Sequence, residues 1–291
     1  MNKYRTYESS VKDFFDSRPT HEVNCWCSER DSHLLFTKNK MTVVRCGGCG
    51  TVYNKTPPTP KALMEFYKES DAMRQWSELK EEQDQLYKFG PAIKRLKDKN
   101  VRSVLDIGCG NGVFLKHCHG MKVLGVEPNK NAAQACRNNN IPVAELPFGQ
   151  FFYSNRQRFD AVCLWGVLEH VPDPRELLSR IRGMASYVVI CVPNMKSLVV
   201  EELKEECFTF CPQHLWYFDE DSLKKILRVN EFKHTESWSI EPEIYPILKK
   251  QMGHDPYDHS VFIERDLEEI ASHEKKILDD KRGYKVITIA S

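Results

Sequence analysis

Short apolar segments alternate with helical patterns along residues 101–291. Val101–Ile107, Lys122–Glu127 and Phe159–Trp165 are rich in aliphatic and β-branched residues, which favours buried strands. Strands that alternate with helices are typical of an α/β protein with a doubly wound, mostly parallel sheet. The remaining predicted elements are strands at Ile141–Leu146, Tyr187–Val192, Phe232–Ile240 and Tyr284–Ala290, a polar excursion at Tyr245–Tyr257 and a helix at Val261–Leu278.

At the centre of this pattern lies Val104–Leu115, with the sequence VLDIGCGNGVFL. A buried strand passes through Asp106 into three glycines, Gly108, Gly110 and Gly112, and a helix follows. Glycine allows unusual backbone dihedral angles and the close approach of a ligand. The helix that follows presents free N–H groups to that ligand. The turn therefore predicts a ligand site, with an ordinary strand–helix turn as the alternative.

The second strand ends in an acid, Glu127, about 20 residues beyond the glycine turn. A carboxylate at this point accepts hydrogen bonds from both hydroxyls of a ribose. Together with the glycine turn, Glu127 favours a ligand that contains a nucleoside.

Three motifs carry a resemblance to a known family: DIGCGNG, the acid in GVEPN, and FDAVCLWGVLEHVPDP. Together they resemble class I S-adenosylmethionine-dependent methyltransferases over roughly residues 85–291. The resemblance implies a Rossmann-like sheet of seven strands whose last strand runs antiparallel. The GCGNG turn also differs from the GxGxxG turn of nicotinamide-binding proteins. The implied cofactor-binding residues are Asp106, Gly108, Cys109, Gly110, Gly112, Glu127, Pro128, Glu145, Trp165 and Gly166.

Two histidines are candidates for catalysis. The dipeptide Glu169-His170 follows the fourth strand, and His214 lies in the aromatic segment Cys207–Phe218. Methyl transfer to a hydroxyl requires a base, and a neutral histidine near pH 7 suits that role. The resemblance implies an acceptor-pocket insertion at about residues 195–220, so His214 is the first candidate and His170 the second, with Glu169 beside it. For each histidine the alternative is a structural hydrogen bond.

A catalytic metal ion is not predicted. In similar ubiquinone-biosynthesis O-methyltransferases, a glutamate and a histidine at the position of Glu169-His170 belong to a metal-binding set. The partner acid one turn earlier is missing here, because Trp165 and Gly166 occupy that place. Two ligands alone make a weak site for a divalent ion.

The chain has eleven cysteines, and four of them have the spacing of a metal site. Cys25-Trp-Cys27 and Cys46-Gly-Gly-Cys49 form two close pairs, and four thiolates favour a structural zinc ion with no open coordination position. Free thiols, a disulfide, or His33 in place of one cysteine are the alternatives. The arrangement is similar to bacterial methyltransferases with an N-terminal zinc-binding segment, several of which act on nucleotide-linked sugars or on capsule and natural-product intermediates. The C-x-C form of the first pair departs from that pattern.

The composition limits the partners. Forty-two basic and 41 acidic residues leave a net charge of +1, which gives no electrostatic reason to expect nucleic acid or a membrane surface as a partner. No apolar run is long enough to span a bilayer, and the N-terminal residues lack the apolar core of a signal peptide. We therefore expect a cytoplasmic protein, whose oligomeric state the sequence does not indicate.

The segment before the first strand of the sheet predicts two helices, Lys61–Met73 and Arg74–Lys99, the second interrupted at Gly90-Pro91. Tyr67 and Tyr87 are the candidate lid residues over the cofactor. The expected domains are an N-terminal helix with the zinc-binding segment at residues 1–58, a helical lid or linker at residues 59–100, and the methyltransferase domain at residues 101–291.

These features predict S-adenosylmethionine-dependent methyl transfer to a hydroxyl of a small polar metabolite. The zinc-segment resemblance implies a nucleotide-activated sugar or a related precursor as the acceptor. Two alternatives stay open, namely a methyltransferase that acts on RNA or protein, and a non-enzymatic module that binds the nucleoside.

Overall fold

The computed structural model describes residues 3–69, 84–258 and 260–291 and contains two β-sheets. The small sheet is formed by Ser32–Lys38 (β1), Met41–Cys46 (β2), Val52–Asn54 (β3) and Trp216–Tyr217 (β9). The large sheet is formed by Ser103–Ile107 (β4), Lys122–Val126 (β5), Val143–Ala144 (β6), Phe159–Trp165 (β7), Ala185–Pro193 (β8), His234–Ile240 (β10) and Lys285–Ala290 (β11).

The large sheet has the strand order β10-β11-β8-β7-β4-β5-β6. Strands β4 to β8 run parallel to one another, whereas β11 is inserted antiparallel between β8 and β10. The predicted seven-stranded Rossmann-like fold with an antiparallel last strand is therefore confirmed. The chain order reverses between β4 and β7, and in open α/β sheets ligands bind beyond the carboxyl ends of the strands at such a point.

Helices cover both faces of the large sheet and flank the small one. Polar side chains start several of them: Asn129, Asp173 and Asp219 each accept a hydrogen bond from a backbone N–H in the first turn of the helix that follows. The helices are Lys3–Asp16 (α1), Pro60–Glu69 (α2), Gly90–Asp98 (α3), Val113–Lys116 (α4), Lys130–Asn138 (α5), Phe148–Ser154 (α6), Pro174–Arg182 (α7), Leu198–Leu203 (α8), Glu220–Val229 (α9), Ile244–Gln251 (α10) and Leu267–Asp279 (α11).

The small sheet joins the N-terminal segment to the predicted insertion. Strand β3 pairs antiparallel with β9, so that Val52 lies opposite Tyr217 and Tyr53 opposite Trp216. One buried cluster extends from residues of α1 through Tyr53 to the interior of the large sheet. The expected boundary near residue 58 therefore separates segments of the sequence that the structure packs into one core.

Several predicted elements have other limits in the structure. The predicted interruption at Gly90-Pro91 coincides with a change of helix type, because the π-helical turn Gln85–Phe89 passes directly into α3, which begins with this pair. The predicted polar excursion Tyr245–Tyr257 contains α10, and the C-terminal helix begins only at Leu267, where Asp266 caps it. Residues 70–83 lie outside the described residues. They comprise the end of the first predicted lid helix and the start of the second. Within the part of the chain that the structure describes, no helix combines the length and the apolar character that a membrane crossing requires.

Candidate functional site

A cavity of about 600 Å³ lies at the carboxyl ends of β4, β5 and β7. Its volume is in the ordinary range for a small-molecule site. Helix α2 and the π-helical turn Gln85–Phe89 close it from the other side. The predicted site residues that line it are Asp106, Gly108, Cys109, Gly110, Glu127, Pro128, Trp165, Gly166 and His170.

The glycine turn has the backbone that only glycine adopts easily. Gly108, Gly110 and Gly112 have φ angles of 70°, 54° and 80°. A Cβ atom on Gly108 would lie 2.8 Å from Val167, and one on Gly112 would lie 2.7 Å from Ile141, whereas Gly110 faces open space. Gly110 therefore leaves room on the ligand side. Gly112 does not line the cavity and instead allows the close packing behind it.

Glu127 is held in place by two backbone N–H groups. Its Oε2 accepts a hydrogen bond from the N–H of Gly110 and its Oε1 one from the N–H of Asn129, both at 2.9 Å. The side chain is buried, and burial raises the pKa of its carboxyl group. The Asn129 side chain in turn caps α5 and donates to the carbonyl of Lys68 in α2 at 3.1 Å. The acid is thus fixed between the glycine turn and α5.

Asp106 and Lys88 also line the cavity. Oδ1 of Asp106 is buried and has no hydrogen-bond partner among the described residues. Burial raises the pKa of Asp106 well above its usual range, while the charge of Lys88 acts in the opposite direction. The ammonium group of Lys88 lies 3.2 Å from a carboxylate oxygen of Asp84. Lys88 cannot be recognised from the sequence, because a lysine in a charged helical segment carries no motif.

Three aromatic rings form the wall beside Lys88. The ring centroids of Phe89, Phe114 and Trp165 lie 4.9–5.4 Å from one another. The Lys88 ammonium group is 4.7 Å from the ring centroid of Phe89 and 5.6 Å from a ring centroid of Trp165. Lys88 is buried beside these rings, and the electrostatic interactions of a buried cation are stronger than those of an exposed one.

His170 is the one candidate catalytic side chain that lines the cavity. Its Nδ1 lies 2.9 Å from the carbonyl oxygen of Gln213 and 2.8 Å from the hydroxyl of Tyr67. A carbonyl only accepts hydrogen bonds, so Nδ1 carries the proton and Nε2 is left with a lone pair. Burial lowers the pKa of His170 to about 4, and the imidazole is therefore neutral at pH 7.

Glu169 and His214 lie behind His170. Glu169 is buried, its Oε2 has no partner among the described residues, and burial raises its pKa to about 8. His214 binds the carbonyl oxygen of Thr209 through Nδ1 at 2.7 Å, and its ring centroid is 4.7 Å from that of His170. One ligand atom of each of these three residues lies within 4.8 Å of the others. The structure thus brings the three candidates together, but only one of them reaches the cavity.

Glu145 and Tyr87 lie outside the cavity. The carboxylate of Glu145 pairs with the guanidinium group of Arg137 at 2.7 Å on the protein surface. Tyr87 is 57% exposed and does not line the cavity. Tyr67, the other lid candidate, does line it and binds His170. Neither Glu145 nor Tyr87 therefore has a contact through which it would bind the cofactor in this arrangement.

The four N-terminal cysteines form one cluster at the end of β2. Their Sγ atoms lie within 4.8 Å of one another, with distances of 3.4 Å between Cys25 and Cys49 and 3.5 Å between Cys27 and Cys46. Four thiolates about 2.3 Å from a zinc ion would be about 3.8 Å apart, so the cluster fits such an ion closely. The hydrogen bond between Cys25 and Cys49 lowers the pKa of the Cys49 thiol and raises that of the Cys25 thiol, so without a metal ion the pair favours one thiolate and one thiol. His33 is exposed on β1 and is not part of the cluster.

The fold and the placement of the cavity define a class I S-adenosylmethionine-dependent methyltransferase. The family model of a methyltransferase domain matches residues 79–237, more than half of the chain, and the protein therefore belongs to this family. The prediction made from the three motifs is thus confirmed.

Curated relatives match only part of the chain. A ubiquinone biosynthesis O-methyltransferase from Alkalilimnicola ehrlichii is 36% identical over 81 residues, which cover 25% of this chain and 33% of that protein. A protein of the same name from Aliivibrio fischeri is 28% identical over 137 residues, or 43% of this chain and 57% of that protein. The chain thus spans a third to just over half of the length of these relatives.

Solved structures share the fold. The magnesium protoporphyrin IX methyltransferase of Synechocystis PCC 6803, solved with bound S-adenosylhomocysteine, superimposes with a TM-score of 0.52 at 14% sequence identity. The match covers 80% of this chain and 99% of that one. At this identity the similarity concerns the fold alone.

Proposed function

We propose that this protein transfers the methyl group of S-adenosylmethionine to a hydroxyl of a small molecule, with His170 as the base. The observation that carries the proposal is one cavity that combines a glycine turn, a fixed acid suited to a ribose, and a neutral imidazole whose Nε2 carries the lone pair and lies 3.9 Å from Oε1 of Glu169. When bound, the cofactor supplies an activated methyl group, so that the protein mainly has to orient the acceptor and remove its proton.

The cofactor-binding roles are assigned to the charged residues that line the cavity. Glu127 is positioned to accept hydrogen bonds from the ribose hydroxyls, since two N–H groups hold its carboxylate in place. The unpartnered Oδ1 of Asp106 is assigned to accept a hydrogen bond from the ammonium group of the methionine part. Lys88 is assigned to pair with the carboxylate of that part. Buried polar atoms are normally hydrogen-bonded, which supports a role for Asp106 in ligand binding.

His170 is assigned as the base in preference to His214. Its Nε2 carries the lone pair, the residue lines the cavity, and Tyr67 and Gln213 fix the ring. His214 does not line the cavity and is assigned a packing role against the His170 ring. This assignment reverses the order predicted from the sequence, because the sequence position of a histidine does not reveal whether its ring lines the cavity.

The walls beside His170 favour an acceptor with an apolar ring. They are formed by apolar and aromatic side chains of α2 and of the turn after His170, namely Leu63, Met64, Tyr67, Val171 and Pro172. A base with a pKa of about 4 also removes a phenolic proton, whose pKa is about 10, more readily than the proton of an aliphatic hydroxyl. A phenolic hydroxyl is therefore the first candidate acceptor. A nucleotide-activated sugar, implied by the cysteine-segment resemblance, is the second.

Calorimetry tests this proposal in two steps. Titration with S-adenosylhomocysteine should give one site with micromolar affinity, and the product-bound protein should then be titrated with catechol and with UDP-glucose. Binding of catechol alone would support the phenolic acceptor, and binding of UDP-glucose alone would favour the sugar. Absence of S-adenosylhomocysteine binding would refute the cofactor assignment.

Glu127→Ala should weaken S-adenosylhomocysteine binding about 10- to 100-fold, because a charge-assisted contact is lost and two buried N–H groups lose their acceptor. Isothermal titration measures the dissociation constant. Glu145→Ala is the matched control, since that acid pairs with Arg137 at the surface. Equal dissociation constants for the Glu127 variant and the unchanged protein would exclude the ribose role.

Lys88→Met should weaken S-adenosylhomocysteine binding about tenfold, since a buried cation loses its contact with the cofactor carboxylate. Lys94→Met is the matched control, because Lys94 forms a similar pair with Asp98 but both partners are exposed. The two variants are compared by the same titration. An equal, small effect of both substitutions would assign Lys88 to helix stability alone.

A further inference from the structure

The chain segment that carries His214 continues into β9. This segment contacts both β3, which follows the cysteine cluster, and residues 168–171, the turn that carries His170. Leu215 forms backbone hydrogen bonds in both directions. Its carbonyl accepts from the N–H of Asn54 in β3 at 2.9 Å, and its N–H donates to the carbonyl of Glu169 at 2.8 Å. One residue thus joins the small sheet to the turn that carries His170.

Trp216 makes a second connection of the same kind. Its indole N–H donates to the carbonyl of Val171 at 2.7 Å, and its ring packs at 5.7 Å from that of Tyr53 in β3. Both Tyr53 and Trp216 are buried. With the contact between His170 and Gln213, the segment Gln213–Trp216 makes three hydrogen bonds to residues 169–171.

The position of β3 depends on the cysteine turn directly before it. The N–H of Cys46 donates to the carbonyl of Thr51 at 2.9 Å, and the N–H of Gly50 donates to the carbonyl of Cys46 at 3.1 Å. The Thr51 hydroxyl accepts from the indole of Trp26 at 3.0 Å, and its oxygen lies 3.2 Å from the sulfur of Cys49. Thr51, the residue directly before β3, is therefore hydrogen-bonded to both cysteines of the second pair.

The glycine turn of the cofactor site is held by different contacts. The N–H of Gly108 donates to the carbonyl of Val126 at 2.8 Å, and the N–H of Gly110 donates to Glu127. Both partners belong to the large sheet or to the loop that follows it. The contacts that run from β3 through β9 therefore reach residues 169–171 directly, whereas the glycine turn adjoins that segment through the packing of Val167 against Gly108.

We propose that the metal ion bound by the four cysteines positions His170 for methyl transfer, through β3, Leu215 and Trp216. The proposal rests on the metal site and on the base role assigned above. It makes Trp216 a positioning residue rather than a catalytic one, and it gives the N-terminal cysteine segment a function in catalysis as well as in stability. A misplacement of about 1 Å at a reacting group is enough to lower turnover about 100-fold.

Hydrogen exchange measured by mass spectrometry tests the first link. The isolated protein is compared before and after metal removal with a chelator, and again after zinc is added back. Amide exchange in residues 168–171 and 213–217 should rise at least about tenfold on removal and recover with zinc, while exchange in residues 108–112 stays within about twofold. The affinity for S-adenosylhomocysteine, measured on the same samples, should also stay within about twofold.

Trp216→Phe tests the second link without disturbing the cysteines. The variant keeps an aromatic ring against Tyr53 but removes the hydrogen bond to Val171. Its metal content should be unchanged, exchange in residues 168–171 should rise about tenfold, and the ¹⁵N shifts of the His170 imidazole should move away from those of the Nδ1-protonated form. Trp238→Phe is the matched control, because the indole N–H of Trp238 has no partner among the described residues.

Each other outcome contradicts the proposal in a distinct way. Unchanged exchange in residues 168–171 after metal removal, or in Trp216→Phe, would overturn the positioning role. An equal rise in residues 108–112 would mean that the metal supports the whole fold without selectivity. A protein isolated without metal would remove the inference together with the metal site, yet it would leave the cofactor assignment intact, since that is judged by S-adenosylhomocysteine binding.

Discussion

His170→Ala is expected to lower the turnover number by about two to four orders of magnitude, the usual contribution of a positioned base. Its effect on S-adenosylhomocysteine affinity should be small, because Glu127, Asp106 and Lys88 remain in place. The measurement is steady-state turnover with the acceptor that binds in the calorimetric titration, together with the dissociation constant of S-adenosylhomocysteine. We expect the effect to be confined to the chemical step because the role proposed for the imidazole is to remove a proton and not to hold the cofactor.

Two further variants make this test specific. His214→Ala leaves the Tyr67 and Gln213 contacts of His170 intact and should reduce turnover much less than His170→Ala. His254→Ala, which removes an exposed imidazole, should change nothing. If His214→Ala instead abolished turnover and His170→Ala retained it, the base would be His214 and the order given by the sequence would hold.

The pH dependence of turnover should reflect the same burial. Since burial lowers the pKa of His170 to about 4, its neutral, proton-accepting form predominates at any pH above that value. The catalytic rate should therefore stay level from pH 8 down to about pH 5 and fall only as the pH approaches 4. A fall centred near the ordinary histidine value of about 6.5 would indicate a solvent-exposed base.

The residues around the glycine turn could be located from the sequence because they are local. Asp106 and the glycines belong to one strand and the turn after it, and Glu127 directly follows the next strand along the chain, which the structure places beside the first. Glu145 is implied as a cofactor-binding residue by the resemblance alone, and the structure instead pairs it with Arg137. That surface pair joins two side chains eight residues apart, which no strand pattern indicates.

The catalytic half was less readable because it is assembled from distant segments. Tyr67, His170 and Gln213 meet through contacts between residues that are far apart in the chain. Strand β9, which has only two residues, is too short to produce an alternating pattern. Its pairing with β3 joins residues more than 160 positions apart in the chain, so it depends on tertiary packing. The burial of Lys88 could not be predicted for a similar reason, because the aromatic rings that cover it come from segments that are distant from one another in the chain.

Cys46→Ala is expected to remove the metal and to lower the free energy of unfolding by about 3 kcal/mol or more, since binding of a structural zinc ion contributes directly to folding. Cys46 is buried at the end of β2, so the loss of the ion would leave the turn between β2 and β3 without its cross-link. Elemental analysis gives the metal content, and denaturant unfolding with and without added zinc gives the free energy.

Cys118→Ala is the matched control for this loss. Cys118 is also a buried free cysteine, but it lies outside the cluster. Its replacement removes one sulfur atom from the core and should cost about 1 kcal/mol while the metal content stays at one ion per chain. Equal metal content in both variants, or equal unfolding free energies, would show that the four cysteines hold the small sheet by packing alone. The coupling between β3 and the turn that carries His170 would then have to act without a metal ion.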